Sequence, residues 1–198
     1  MQHLRLRMAL MAALAATVAS VIPTAGAQAQ TMHPIPAVTL ATAHSAAPLD
    51  DPTIVAIFDS ANSWDIELGR LALGKSHNKE VRTFADMMVR DHTAARQLGR
   101  DLAAKLHVTP TPPGKDFALY KDHVAILKTL NAASGARFDK AYVDHEAWYH
   151  QAVIDAVTQT LLPATKNDEL RDLEVKVAPN FQAHLAAAKD LQQKLGVK

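Results

Sequence analysis

The chain contains no cysteine. That excludes disulfides, thiol chemistry and a lipid-modified N-terminal cysteine. Aromatic residues make up only 5%, while alanine and leucine are abundant, a balance that favours helix over sheet. No stretch alternates apolar and polar residues as a half-buried strand does. Beyond residue 22 no apolar run reaches the ~20 residues that a membrane-spanning helix needs. Basic residues form no stripe with interleaved aromatics, so no nucleic-acid partner is expected. No serine sits in a nucleophile-elbow pattern. The "GKS" at Gly74–Ser76 lacks the upstream glycine of a phosphate loop and follows a helix rather than a strand.

What is present begins with an address. Arg5 and Arg7 make a basic start, residues 8–22 are apolar, and "AGAQAQ" offers small-residue cleavage sites after Ala27 or Ala29. Residues 1–27 therefore read as a secretory signal peptide, with export to the periplasm or beyond. A retained membrane anchor is the competing reading, disfavoured because the run is short. Losing Arg5 and Arg7 takes 21 basic residues to 19 against 20 acidic, so the mature chain is close to neutral. Residues 28–50 are rich in proline, threonine and alanine without periodicity and read as a flexible leader. Residues 51–198 suffice for one domain with a core.

That remainder is helical by its periodicity. A first helix is expected over 52–75, with Asp51 as cap and Pro52 in the first turn. A second spans about 79–107, capped by Ser76 or Asn78 and stopped by the prolines of "VTPTPPGK". A shorter helix over 116–133, with Gly135 as its C-terminal cap, precedes a long one over 137–162. The last, capped by Asn167, runs to about Leu195, and Pro179 should kink it. Four long helices with an extra short one between the second and third predict an all-α, ferritin-like four-helix bundle with one crossover.

Polar residues interrupt the apolar stripes of all four long helices. At about 100° per residue, His184 falls amid Val177, Phe181, Ala188 and Leu191. His150 falls amid Val143, Ala147, Ile154 and Val157. Asp91 and His92 straddle the second stripe, each about 50° off its centre. Asp65 lies among Phe58, Ala61, Leu68 and Ala72, Glu67 lies further round beside Trp64 and Leu71, and Glu146 is one turn before His150. A lone histidine on an apolar face is usually a hydrogen-bonded core residue. Three on three helices, with carboxylates beside them, point to a transition metal ion as ligand: zinc, iron, manganese or copper. A purely structural polar network is the alternative. The Glu-x-x-His spacing of di-iron bundles is absent, since Val89, Ala147 and Phe181 occupy the positions three before the histidines. His145 points about 140° from His150 and is expected on the surface or flank, and Trp64, Trp148 and Met87–Met88 as packing.

The segments "DIELGRLALGKSHNKEVRTFADMMVRDHTAARQLGRDLA", "FDKAYVDHEAWYHQAV" and "LRDLEVKVAPNFQAHLAAAKDL" resemble the bacterial exported proteins grouped as domain of unknown function 4142, over about residues 51–195. The resemblance implies a ferritin-like fold and export to the envelope. Asp91 and His92 match the family's "DH", His184 its "HL", Glu67 the acid of "ELG", and His150 the histidine twelve residues after Phe138. Asp65 stands where the family usually has glutamate, and Tyr149 where an acid is common. The expectation is an exported metal-binding bundle with an envelope metal-handling or stress-protection role. The alternatives are a non-enzymatic envelope scaffold or interaction module with a structural polar core, and an enzyme using an open metal position.

Overall fold

The computed structural model describes residues 49–114 and 117–196. The expected signal peptide and all but the last two residues of the expected leader lie outside them. The described residues are all-helical: α1 (Asp51–Lys75), α2 (Lys79–Lys105), α3 (Ala118–Ala132), α4 (Gly135–Ala156), a π-helical turn (Val157–Leu161), α5 (Leu162–Ala164) and α6 (Asp168–Gly196). None of them is long and apolar enough to cross a membrane.

Caps set the ends, with one displacement from expectation. Asp50, not Asp51, caps α1, its Oδ1 accepting from Thr53 N at 3.0 Å. Asp51 reaches across the fold instead and accepts from the backbone N–H groups of Lys166 and Asn167 at 2.8 and 3.0 Å. It thereby ties the start of α1 to the start of α6. Asn78 caps α2 through Glu80 N and Val81 N, while Ser76 closes α1. Asn167 accepts from Leu170 N at 3.1 Å at the start of α6. Gly135 adopts φ of +55° where α4 begins, a left-handed conformation that glycine enters without steric cost. α6 runs on through Pro179, and the carbonyl that loses its partner there belongs to Val175, an exposed residue. The helix expected to end at 162 passes instead through the π-helical turn, which periodicity does not reveal.

Side-chain pairings fix the direction of each long helix. Phe58 lies against Gly99, and Gly69 against Ala85 and Met88, so α1 and α2 are antiparallel. Asp144 pairs with Gln192 at 2.8 Å and His150 faces His184, so α4 and α6 are antiparallel. Asp91 meets His184, and Lys105 pairs with Glu169, so α2 and α6 are antiparallel. It follows that α2 and α4 run the same way, and the segment carrying α3 must return the chain between them.

Close approach of α1 and α2 depends on glycine. A Cβ built on Gly69 would stand 2.9 Å from Val89 Cγ2 and 3.1 Å from the Ala85 carbonyl oxygen. Backbone cannot swing aside as a side-chain tip can. Gly69→Ala should therefore destabilise the fold by about 1–2 kcal/mol in chemical denaturation, overpacking outweighing alanine's ~1 kcal/mol advantage in helix propensity. Equal or greater stability in the variant would refute the close-packing account.

Besides a small group of Leu173, Val177 and Phe181, two larger apolar clusters divide the described interior. One gathers Leu68, Ala72, Phe84, Met88, Phe138, Tyr142 and Val143. The other gathers Ile54, Ile57, Phe117, Leu119, Tyr149, Val157 and Leu161. Each fully buried side chain of this size contributes roughly 1.5–3 kcal/mol. Between the clusters the four long helices turn polar at one level.

Candidate metal centre

At that level α1 presents Asn62 and Asp65, α2 presents His92, α4 presents Glu146 and His150, and α6 presents His184. All six are buried. The imidazole centroids of His92, His150 and His184 lie 5.0–5.5 Å apart, and one nitrogen from each lies within 4.8 Å of the others. Phe181 stacks on His92 at 6.0 Å and closes one side.

Hydrogen bonds settle which nitrogen of each ring carries a proton. Asn62 Nδ2 donates to the Phe58 carbonyl at 2.8 Å, so its Oδ1 is the atom facing His92. His92 Nδ1 lies 2.9 Å from that oxygen and 3.4 Å from Asp65 Oδ2. The Asn62 oxygen can only accept, so Nδ1 is the donor and Nε2 holds the lone pair. His150 Nδ1 lies 2.9 Å from the Glu146 carbonyl oxygen, again an acceptor, so its Nε2 is also bare. His184 Nε2 donates to Asp91 Oδ2 at 3.1 Å, and its buried Nδ1 has no partner.

The consequence is that the Nε2 atoms of His92 and His150 face each other at 3.3 Å with two lone pairs and no proton between them. A protonated imidazole would relieve this, but burial opposes it. Burial first, then its two neighbouring histidines, hold His92 well below the ordinary histidine range. Burial and His184 bring His150 down to about 4, against a small opposing contribution from the Glu146 carbonyl. Burial also lowers His184, with Asp91 opposing. At neutral pH the triad is uncharged. Two nitrogens bound to one tetrahedral zinc at 2.0–2.1 Å stand roughly 3.3 Å apart, which is the separation found here. Ligating histidines also usually give their second N–H to a carboxylate or carbonyl, as all three do. The donor set fits a transition metal ion.

The family model described as a domain of unknown function (DUF4142) matches residues 37–191. The chain belongs to that family. No curated protein and no solved structure matches it.

The remaining DUF4142 candidates divide by position. Asp91 is a quarter exposed, and both its oxygens are engaged, Oδ1 by Arg90 Nε at 2.8 Å and Oδ2 by His184. Burial raises its pKa, but Arg90 and His184 outweigh that and hold it below the usual carboxylate range. Its place is behind His184, not among the three bare nitrogens. Glu67 lies elsewhere. Its side chain is 54% exposed and its Oε2 meets His123 of α3 at 2.9 Å. The turn from Asp65 to Glu67 carries it out of the interior. Asp65 and Glu146 are fully buried and join His150 in a second group of ligand atoms within 4.8 Å of one another. Burial and Glu146 raise Asp65 well above the carboxylate range, and burial raises Glu146 to about 8, with Tyr142 offsetting part of the rise. His145 is half-buried on the flank, stacked on Tyr149 at 5.5 Å.

Sequence reasoning in this DUF4142 chain missed Asn62, Tyr142 and Tyr149. The signal was there: Asn62 is three residues before Asp65, and Tyr142 four before Glu146, spacings that share a helical face. Asn62→Ala should weaken zinc affinity 10–100-fold, the range for removing an outer-shell partner of a ligating histidine. A competition titration against a chromophoric chelator measures it, and an unchanged affinity would remove Asn62 from the centre.

Proposed function

We propose that this protein is an exported, ferritin-like helical bundle that holds a transition metal ion between its helices. The ligands are His92 Nε2, His150 Nε2 and His184 Nδ1. The observation that carries the reading is the 3.3 Å approach of two unprotonated nitrogens, which repel unless an electrophile lies between them. The parallel run of α2 and α4, bridged by α3, supports the ferritin-like arrangement, in which one long crossover joins two such helices.

In this reading the ion is zinc, iron, manganese or copper, the ions that imidazole and carboxylate together suit, and the three nitrogens leave a coordination position open. Bound there, the ion would supply Lewis acidity or redox chemistry. The chain's own part is to orient the rings through Asn62, the Glu146 carbonyl and Asp91, to keep them neutral by burial, and to exclude water with Phe181. The signal-like N-terminus supports an envelope role in metal handling or stress protection.

Elemental analysis of protein purified without a histidine tag tests the reading. About one equivalent of metal per chain is expected from the triad. His150→Gln and His184→Gln should lose it while keeping their helical circular dichroism. A native protein without metal, and unable to take up any of the four ions, would leave a scaffold with a structural polar core.

A further inference from the structure

We propose that Asp65 and Glu146 form a second cation site, separate from the histidine triad, for a harder divalent ion such as manganese or ferrous iron. This extends the reading above from one ion to two.

Four neighbouring residues leave five buried oxygens without a hydrogen-bond partner: Asp65 Oδ1, both carboxylate oxygens of Glu146, and the hydroxyls of Tyr142 and Tyr149. So many unsatisfied oxygens in one place are unusual in a folded interior, where the large majority of buried polar atoms are paired. Tyr142 and Tyr149 lie one turn either side of Glu146 on α4. Burial first, then the nearby acids, raises both hydroxyls: Glu146 and Asp65 act on Tyr142, and Asp65, Glu146 and Asp122 act on Tyr149. The hydroxyl of Tyr142 stands beside Glu146 without meeting hydrogen-bond geometry.

The cluster cannot serve the triad's ion. Asp65 Oδ2 and Glu146 Oε2 face the Nδ1 edges of His92 and His150, at 3.4 and 3.5 Å. The triad's lone pairs are on Nε2, across the ring, so an ion bound there lies on the far side of both imidazoles. The Nδ1 atoms are themselves occupied by Asn62 and the Glu146 carbonyl. That leaves an oxygen donor set. Carboxylate and hydroxyl oxygens suit manganese, magnesium and ferrous iron better than copper. Two carboxylates balance one dication, which removes the large cost of burying unpaired charge.

The experiment loads the protein with one equivalent of zinc and then titrates manganese(II), following the free aquo ion by electron paramagnetic resonance. The zinc-loaded native protein should take up one equivalent of manganese. Glu146→Gln and Asp65→Asn should each lose manganese uptake while retaining one zinc, which also reports that they fold. No uptake by the zinc-loaded native protein, or uptake retained in both variants, overturns the proposal. Should zinc not bind while manganese binds and is lost in the variants, the acid site stands and the triad reading falls. If neither ion binds, both fall.

Discussion

Zinc added to the metal-free protein should raise its melting temperature by roughly 5–11 °C at a free concentration of 100 times the dissociation constant. An ion that binds only the folded state at that excess adds about 2.7 kcal/mol, and each kcal/mol moves the midpoint by about 2–4 °C for a chain of this size. The folded state alone brings the three nitrogens together, from α2, α4 and α6, so the unfolded chain offers no comparable site. Ligating imidazoles must be neutral. Burial already holds His150 down to about 4 and lowers the other two. The shift should therefore survive at pH 6, where a solvent-exposed histidine site would be largely protonated. His150→Gln and His184→Gln should abolish it. Thermal melts with and without zinc at pH 6 and 7.5 measure this, and coincident curves at both pH values would count decisively against a histidine metal site.

The second large effect runs in the opposite direction. Glu146→Gln should make the metal-free protein more stable at pH 8, by a few kcal/mol. Burial raises the folded-state pKa of Glu146 from 4.5 to about 8. Below pH 4.5 the carboxyl is protonated in both folded and unfolded chains and costs nothing. Between 4.5 and 8 the unfolded chain releases its proton while the folded one keeps it, so stability falls as pH rises and levels off above 8. The total is about 5 kcal/mol on the scale of ~1.4 kcal/mol per pKa unit. A glutamine has no proton to lose, so the variant's advantage should shrink towards zero near pH 4.5. Asp65, raised in part by Glu146, should relax in the same variant. His150 acts the other way, since a lowered histidine pKa costs stability as pH falls from 6.5 to 4. Urea denaturation in chelator at pH 5 and pH 8 separates the two. Parallel pH profiles for native and variant protein would mean that Glu146 ionises without penalty. A buried acid that weakens the empty fold is the pattern expected where a bound cation offsets the burden.

Much of the molecule could be read from periodicity. Spacings of three and four placed all four long helices, and proline, asparagine and glycine marked most of their ends, because those signals act within a few residues. His92, His150 and His184 were visible as polar breaks in apolar stripes, and all three are buried. Local signals failed where distant partners compete. Asp51 sits where a cap belongs, yet the loop before α6 claims its carboxylate and Asp50 takes the cap. Glu67 lies near the edge of an apolar face by angle, but His123 of α3 draws it to the exposed side. The π-helical turn adds a residue to the helical repeat, and no spacing rule announces it.

The amino-acid sequence by itself determined the helical class, the family and the identity of the three imidazoles, since composition and a 3.6-residue period are properties of short windows. Tertiary structure alone decided which ring nitrogen is bare, that two of them meet at 3.3 Å, and that two carboxylates lie behind them. Those facts depend on the rotation and level of helices joined through distant segments, and on acceptors as remote as Asn62 is from His92. A one-dimensional pattern names the donors. Only packing sets the distance between their lone pairs, and that distance is where the chemistry lies.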